Sequence, residues 1–343
     1  MLLGFNGATT LTADLATDIR AAKAAGYGCL EIWAPKLLGY FATGSLADLR
    51  RALRRAGLPV ATLNSVERVT FQDPSGHERM LQASTMGGPR HAWSVSVAAA
   101  RALQRRLREH LIREDALGAL AVVAGADVAF AGEEAVAAVV TLAFPALTLQ
   151  EVVAVRRPVT FPYVPGLLTF REGPALQAAF RRLRRPPDLI LFDGHGLAHP
   201  ARFGLACHLG LLLDVPAIGC AKSLLTGEVA IGRLGRRRGA RRMIRADGEV
   251  VGAALRTADG VRPIFVSAGH RLSLPTALRL TLHCCRGYRV PEPIRLADAA
   301  VALLKRRGGT TLPPEDLARL LRRRGGRRIP VAATSPERYS PAS

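Results

Sequence analysis

Three apolar segments follow one another between residues 121 and 156: "AVVAGADVAF", "AVAAVVTLAF" and "TLQEVVAVR". Their length and their Val and Ala content predict three successive β-strands. Four shorter apolar segments follow, "DLILF", "PAIGC", "EVVGAALRT" and "RPIFVS", and "PALQAAFRRLRR", "LPTALRLTLHCC" and "IRLADAAVALLKRR" are typical of amphipathic helices. Together with the preceding helix in "VSVAAARALQRRLREHLI", they predict an α/β domain over residues 93–310, with a mixed sheet flanked by helices.

The first 75 residues have a different organisation. "LLGFNGA", "CLEIW" and "PVATLNSVE" are predicted strands, and "LATDIRAAKAAG" and "SLADLRRALRRAG" are predicted helices, an alternation typical of parallel βαβ units. The segment resembles the opening of the sugar-phosphate isomerase/epimerase barrels, which are similar to xylose isomerase. It spans about two and a half of the eight units of such a barrel. We expect a truncated TIM-barrel-like βαβαβ remnant in which Glu31 and Glu67 cannot form a site alone.

Two stretches lack a regular pattern. The segment "DPSGHERMLQASTMGGPRHAW" is rich in Gly, Pro, Ser and polar residues, which predicts a linker over residues 76–92. Residues 311–343 end in "LLRRRGGRRIPVAATSPERYSPAS", whose Arg, Gly, Pro and Ser content predicts a basic, flexible tail.

The charge of the chain is large and unevenly distributed. The net charge is +21, and the first 88 residues contribute nine Lys/Arg against seven Asp/Glu. The remaining 255 residues hold 39 basic and 20 acidic side chains. Such a bias favours a polyanionic partner, in particular nucleic acid. The alternative is an arginine-rich codon bias, because 44 of the 48 basic residues are arginine.

Composition also narrows the cellular setting. The apolar runs are shorter than the roughly 20 residues of a membrane span, and the start "MLLGFNGATT" has no basic region typical of a secretory signal. The five cysteines form no CxxC pair. We therefore expect a reduced cytoplasmic protein with no membrane partner and no structural zinc.

Four carboxylates stand out by their sequence context. Asp127 interrupts an apolar strand, Glu172 closes "YVPGLLTFRE", Asp193 ends "LILFD", and Asp298 lies on a mostly apolar helix. Each alone could be a capping or salt-bridged side chain. Four together in a basic domain suggest a functional site, because carboxylates repel a nucleic acid unless cations lie between them. Carboxylate oxygens suit Mg²⁺ or Mn²⁺, so the set indicates a metal-dependent phosphodiesterase.

The segment "FPYVPGLLTF" suggests a way of contacting bases. Pro162 and Pro165 flank Tyr163 and should hold it in a stiff, extended turn. A rigid aromatic ring of this kind can enter a base stack when a nucleotide is extruded. The alternative is a core tyrosine between two prolines.

Six motifs together resemble one family. In chain order they are "GADVAF", "FPYVPGLLTFRE", "LFDGHGLAHPARFGLACHLG", "IGCAKSLLTGE", "VSAGHRLSL" and "GYRVPEPIRLADA", and they resemble endonuclease V, a repair nuclease for deaminated bases. The resemblance spans roughly residues 93–305. It implies an RNase H-like fold and Mg²⁺-dependent cleavage, with Mn²⁺ as a substitute. The expected cut is at the second phosphodiester bond 3′ to hypoxanthine, and it leaves 3′-hydroxyl and 5′-phosphate ends.

The resemblance also implies roles for particular residues. Asp127, Asp193 and Glu172 match metal-binding and catalytic positions, and Asp298 matches a fourth acidic position. Lys222 and His199 match groups near the scissile phosphate, and Tyr163 matches the wedge. The positions that line the pocket for the flipped base match Gly166, Leu168, Gly194, Leu205 and Gly219. Cys207 and Ala268 depart from the Ser and Pro that we expect there.

Several alternatives stay open on the sequence alone. The substrate is DNA, or RNA if the chain is an inosine-specific ribonuclease of the same family. A sugar-phosphate isomerase would need barrel units that are missing, and a non-catalytic nucleic-acid binder would not need the carboxylates. His208 is expected to be structural, while His270 could be either a loop or a catalytic residue. The sequence gives no oligomeric state.

Overall fold

The computed structural model describes residues 4–6, 13–33, 36, 40, 46–58, 60–64, 91–323 and 329–332. The chain divides into two compact units, Met1–Ser84 and Thr85–Ser343. The predicted linker at residues 76–92 lies almost entirely outside the described residues. None of the helices in the described ranges is long and apolar enough to cross a membrane.

The first unit contains a small parallel sheet. Its strands are β1 (Gly4–Asn6), β2 (Cys29–Trp33) and β3 (Val60–Asn64), in the order β1-β2-β3. The helices α1 (Leu15–Ala24) and α2 (Leu46–Ala56) connect them. The parallel pairing agrees with the predicted βαβ units, but three strands are common to many α/β folds, so the relation to a barrel stays a prediction. Glu31 lies on β2, and Glu67 lies outside the described residues.

The second unit is built on one mixed sheet of eight strands, in the order β6-β5-β4-β7-β8-β11-β10-β9. Neighbours β4, β7 and β8 are parallel, and the other pairs are antiparallel. The strands are β4 (Val122–Ala131), β5 (Glu134–Ala143), β6 (Thr148–Pro158), β7 (Leu189–Phe192), β8 (Ala217–Ala221), β9 (Arg241–Ala246), β10 (Glu249–Leu255) and β11 (Ile264–His270).

Helices cover both faces of this sheet. They are α3 (Val97–Arg108), α4 (Leu168–Phe180), α5 (Leu205–Leu213), α6 (Leu274–His283), α7 (Glu292–Arg307) and α8 (Pro314–Arg323). One apolar cluster joins α4 and α5 to the sheet, and another joins α6, α7 and α8 to its opposite face. The predicted α/β fold, a mixed sheet flanked by helices, is confirmed.

Alternation along β4 assigns its side chains to these two faces. Val123 belongs to the cluster that contains α6 and α7, whereas Ala124 and Ala126 belong to the cluster of α4 and α5. Since β4 pairs with β5 without a register shift, Gly125 and Asp127 share the face of Val123. Asp127 is therefore directed toward the side on which α7 packs.

One predicted helix begins at a different residue in the structure, and one strand was not predicted. The helix expected to begin at Pro174 begins six residues earlier, at Leu168, and keeps the proline inside it. The later start followed from the helical spacing of Leu176, Phe180 and Leu183, which lies beyond the first two turns of the helix. Strand β9 was not predicted, because "RRMIRA" is too polar to resemble a buried strand; it lies at the edge of the sheet.

The flexible tail predicted over residues 311–343 is wrong for its described part. Helix α8 occupies Pro314–Arg323, and Leu312, Leu317 and Ile329 are buried in the apolar cluster of α7. Val331 also forms a bridge with Leu149 of β6. Apolar side chains spaced among the arginines are sufficient to hold the segment on the domain.

A histidine pair lies among aromatic rings behind α4. The Nε2 atoms of His91 and His208 are 2.7 Å apart, and His208 also contacts Phe170 and Phe203. His208 is fully buried, as its predicted structural role requires. Burial first, and then the charge of His91, hold the pKa of His208 well below its usual value of 6.5. The imidazole is therefore neutral in the folded protein.

This pair should make the fold sensitive to acid. A histidine whose pKa is lowered in the folded state binds protons more readily when unfolded, so stability falls as pH drops below the usual histidine pKa. We expect His208→Leu to reduce the loss of unfolding free energy between about pH 7.5 and about pH 5.5. Denaturant unfolding at each pH measures this. The exposed His110, changed to Leu, is the control and should keep the wild-type dependence; an unchanged dependence in His208→Leu would contradict the assignment.

Candidate active site

Two of the predicted carboxylates lie side by side because of strand pairing. In the parallel pair of β4 and β7, Ala126 is opposite Phe192. The next residues in register are Asp127 and Asp193, on strands about 4.8 Å apart. They are 66 positions apart in the sequence and come from adjacent strands. This adjacency forms the base of the candidate site.

Close packing of α7 against β4 brings Asp298 near Asp127. A Cβ atom on Gly125 would lie 2.1 Å from both the carbonyl carbon and the oxygen of Pro293, in the first turn of α7. Only glycine permits that approach. Two residues beyond Gly125, Asp127 faces the same helix, and the charge of Asp298 raises its pKa.

Glu172 joins the cluster from α4. Burial is the largest cause that raises the pKa of Glu172, to about 8, and the charges of Asp127 and Asp193 add to it. Burial likewise raises the pKa of Asp127, to about 7, with further contributions from Asp193 and Asp298. Burial and neighbouring negative charge thus oppose the ionisation of Asp127 and Glu172.

Lys222 supplies a positive charge to this cluster. Its Nζ atom lies 2.6 Å from Oδ2 of Asp193, just beyond the end of β8. Burial alone would lower the pKa of Lys222, but the hydrogen bond and the charges of Asp193, Asp298 and Asp127 outweigh it and raise the pKa. Arg289 fixes the backbone here, since its Nη2 atom donates to the carbonyl of Lys222 at 2.7 Å.

The donor set suits a hard divalent cation in chemistry and in charge. Oxygen atoms of Asp and Glu are the ligands that Mg²⁺ and Mn²⁺ prefer. A cation among them would also offset the burial and the repulsion that together raise the pKa values of Asp127 and Glu172. Within the described ranges, no three Asp, Glu, His or Cys side chains are already drawn together tightly enough to hold an ion. The carboxylates form a cluster and not a finished coordination shell.

Tyr163 projects from a turn, residues 161–167 and called here the tyrosine turn, that is anchored at both ends. Its side chain is 72% exposed, whereas Phe161 and Leu167 on either side are buried. Arg171 donates to the carbonyl of Phe161 at 2.9 Å, and the N–H of Leu167 donates to the carbonyl of Val164 at 2.9 Å. The alternative of a core tyrosine is therefore wrong. The exposed ring can insert between groups of a bound partner.

The residues predicted to line the base pocket fall into two groups. A Cβ atom on Gly194 would lie 3.2 Å from Leu205, and one on Gly219 would lie 2.4 Å from the backbone of residue 196. Gly194, Leu205 and Gly219 thus form a tightly packed floor, called here the glycine floor, at the loop that follows Asp193. Gly166 has a φ of +79°, which favours glycine, and Leu168 is 38% exposed beside it.

The histidines take different places. His199 is buried against Gly166, with its Nδ1 atom accepting from the N–H of Ala201 at 3.1 Å. Burial first, and then the charge of His195, lower the pKa of His199 to about 4, so it is neutral. His270 is buried and contacts Asp214, with Nε2 to Oδ1 at 3.3 Å.

Three supporting residues were missed from the sequence. Gln104 donates from Nε2 to the carbonyls of Gly166, at 2.9 Å, and Phe203, at 3.3 Å, and so joins the tyrosine turn to the loop that precedes α5. Ser267 accepts from the N–H of residue 196 at 2.8 Å. Arg289, described above, is the third. Ser267 and Arg289 lie inside the quoted motifs without a role of their own there, and Gln104 lies outside them, so only the folded chain identifies these contacts.

The approach of α7 to β4 can be tested at Gly125. Gly125→Ala should displace the first turn of α7, cost about 1–3 kcal/mol or more of stability, and lower any activity that depends on Asp298. Denaturant unfolding and a nicking assay measure the two effects. Gly118→Ala is the control, because a Cβ atom there meets nothing within 4 Å. Wild-type stability and activity in Gly125→Ala would show that the close contact is dispensable.

Comparison with known protein families identifies relatives of this domain. The model of the Endonuclease V family matches residues 104–299. The Endonuclease V of Roseiflexus castenholzii is 53% identical over 209 residues, which are 61% of this chain and 93% of that protein. The matched region contains all four carboxylates, Lys222 and Tyr163.

Solved structures resemble the domain as well. The crystal structure of Endonuclease V from Streptomyces avermitilis is 41% identical, with a TM-score of 0.60, and the match covers 64% of this chain and 97% of that one. Endonuclease V of Ciona intestinalis, in complex with a 24mer DNA containing an inosine followed by a ribo-adenosine, is 32% identical with a TM-score of 0.53. That match covers 59% of this chain and 94% of that one.

Proposed function

The chain belongs to the endonuclease V family, and from this premise we propose that it cuts DNA at the second phosphodiester bond 3′ to hypoxanthine. It is a repair endonuclease for deaminated bases, of a metal-dependent family that hydrolyses phosphodiester bonds. The proposed cut leaves 3′-hydroxyl and 5′-phosphate ends. The convergence of Asp127, Asp193, Asp298 and Glu172 where β7 ends beside the middle of β4 carries the proposal.

The carboxylates would hold Mg²⁺, or Mn²⁺ in its place. Asp127, Asp193 and Glu172 are the proposed ligands, and Asp298 is the fourth acidic group of the site. When bound, such a cation holds phosphate oxygens and lowers the pKa of a water molecule. The assignment is supported by the raised pKa values of Asp127 and Glu172, which reflect burial first and then the negative charge of neighbouring carboxylates.

Lys222, Glu172 and His199 have separate proposed roles near the scissile phosphate. Lys222 is cationic and partly exposed beside Asp193, so it can contact a non-bridging oxygen of the scissile phosphate. A cation held by Glu172 would offset the burial and the charges of Asp127 and Asp193 that raise its pKa to about 8, so the carboxyl would be ionised as a ligand. His199 is neutral and packed against Gly166, which supports a role in holding the tyrosine turn beside the phosphate.

The tyrosine turn would enter the stacked bases of the DNA duplex. The glycine floor would receive the extruded base. Tyr163 would fill the gap left by the flipped nucleotide. Gly166, Leu168, Gly194, Leu205 and Gly219 are the proposed pocket positions. Gly194 and Leu205 are in contact, and Gly219 lies beneath the same loop, which supports a common pocket wall.

The metal assignment predicts loss of nicking without loss of binding. Asp127→Asn and Asp193→Asn should each lower the rate of nicking of an inosine-containing duplex at least about 100-fold, because a bound cation contributes several kcal/mol to such reactions. Binding to the same duplex should persist or tighten, since a charge that repels phosphate is removed. Nicking with and without Mg²⁺, beside a filter-binding measurement, tests both.

Asp316→Asn is the matched control, because that carboxylate lies on α8, away from the cluster, and should leave nicking unchanged. Full Mg²⁺-dependent nicking by Asp193→Asn would refute the assignment. The same assay on inosine-containing RNA distinguishes the ribonuclease alternative.

The wedge assignment predicts a defect that depends on the substrate. Tyr163→Ala should weaken binding to a paired inosine duplex about 5- to 150-fold, since stacking on a base contributes about 1–3 kcal/mol. Single-stranded inosine substrates are already unstacked and should lose less. The melting temperature should hardly change, because the ring is exposed. Nicking of both substrates and thermal unfolding measure this.

Tyr163→Phe keeps the ring and serves as the control, with near wild-type behaviour on both substrates. An equal loss on paired and single-stranded substrates, together with a large fall in melting temperature, would show that Tyr163 has a structural role instead.

A further inference from the structure

A second cleft lies between α6 and the outer strands of the sheet. It has a volume of about 760 Å³ and is called here the α6–β9 cleft; the residues that line it are Arg238, Arg241, Met243, Val250, Leu274, Pro275, Leu278, Arg279, Leu282 and His283. In the sheet order, β9 is separated from β7 by three strands. At about 4.8 Å per strand, this is roughly 19 Å from the strand that ends at Asp193. The cleft is therefore separate from the carboxylate cluster.

The floor of the cleft is apolar. Leu274, Leu278 and Leu282 follow one another at a spacing of four along α6 and so lie on one side of the helix. Opposite them are Met243 of β9 and Val250 of β10, each 41% exposed. Exposed apolar side chains that face a helix across a cleft are typical of a binding surface.

The rim is cationic. Arg241 and Arg279 are exposed on the two sides of the cleft, and Arg238 spans its end, where Nη2 donates to the carbonyl of Leu282 at 2.7 Å. The titratable lining residues are three arginines and His283. Neighbouring carboxylates are engaged with the protein itself: Asp259 accepts from the N–H of Arg238 and Asp115 from Ser273 and Thr276.

From this complementarity we propose that the α6–β9 cleft binds a short peptide segment of a partner protein, with carboxylates beside an apolar anchor. The carboxylates pair with Arg241 and Arg279, and the anchor fills the space between Met243 and the leucines of α6. Apolar grooves and clustered arginines are both recurring elements of peptide recognition. A nucleic acid is a poorer match, because its backbone brings no apolar group and the cleft offers leucine and methionine where single strands favour aromatic rings.

The proposal can be tested with the full-length protein and a labelled peptide. The probe is a fluorescein-labelled peptide with a run of aspartates followed by leucine and phenylalanine, and fluorescence anisotropy measures binding. We expect saturable binding. A peptide with asparagine for aspartate, or with alanine for the two apolar residues, should bind at least about tenfold more weakly, since both charge and apolar burial contribute.

Variants of the cleft locate the site. Reversing both rim charges, with Arg241→Glu and Arg279→Glu together, should weaken peptide binding at least about tenfold, because like charges then face each other. Met243→Glu should do the same through the floor. These side chains are exposed, so the fold should persist, and nicking of an inosine-containing duplex verifies it. Arg182→Glu with Arg185→Glu is the control, an equal change of net charge at two exposed arginines elsewhere.

Three results would overturn the proposal: no binding of the peptide to the wild-type chain, equal binding by the cleft variants and the control, or displacement of the peptide by plain duplex DNA whose own affinity falls in the same variants. The last result would identify the cleft as a nucleic-acid surface.

Discussion

The close contact between β4 and the first turn of α7 is the constraint on which the candidate site depends. Gly125 has no side chain, and any Cβ atom there would overlap the backbone of Pro293. The approach lets one helix pack across the middle of the sheet and directs Asp298 toward Asp127. A larger residue would separate the helix from the strand. Packing in the core thus determines the spacing of the acidic groups.

The acidic cluster opposes the stability of the fold that carries it. Burial and the charges of neighbouring carboxylates raise the pKa values of Asp127 and Glu172, so the ionised forms are poorly solvated and repelled. Lys222 offsets part of this through Asp193. An arrangement of this kind favours whatever brings more positive charge, and a divalent cation brings two. The strongly basic domain around it then attracts the polyanion that the carboxylates would otherwise repel.

Sequence reasoning was most accurate where hydrophobic periodicity is strong. The long strands β4, β5 and β6 could be predicted, because their apolar runs are uninterrupted, whereas β9 could not, because an edge strand tolerates arginine. The four carboxylates were identified by context and family resemblance. Their adjacency depends on the pairing of β4 with β7 and on the approach at Gly125, and neither is encoded locally.

The glycines after Asp193 illustrate why a motif can be recognised before its physical reason is known. From the sequence, a glycine-rich loop suggests that a ligand approaches the backbone. In the folded chain, residue 196 has no room for a side chain against Ala268, and Gly219 has none beneath the same loop. These glycines are required by the protein's own backbone packing. That packing holds the loop rigidly beside Asp193. The wall that contacts an entering base is therefore already ordered, and binding need not pay the cost of ordering the loop.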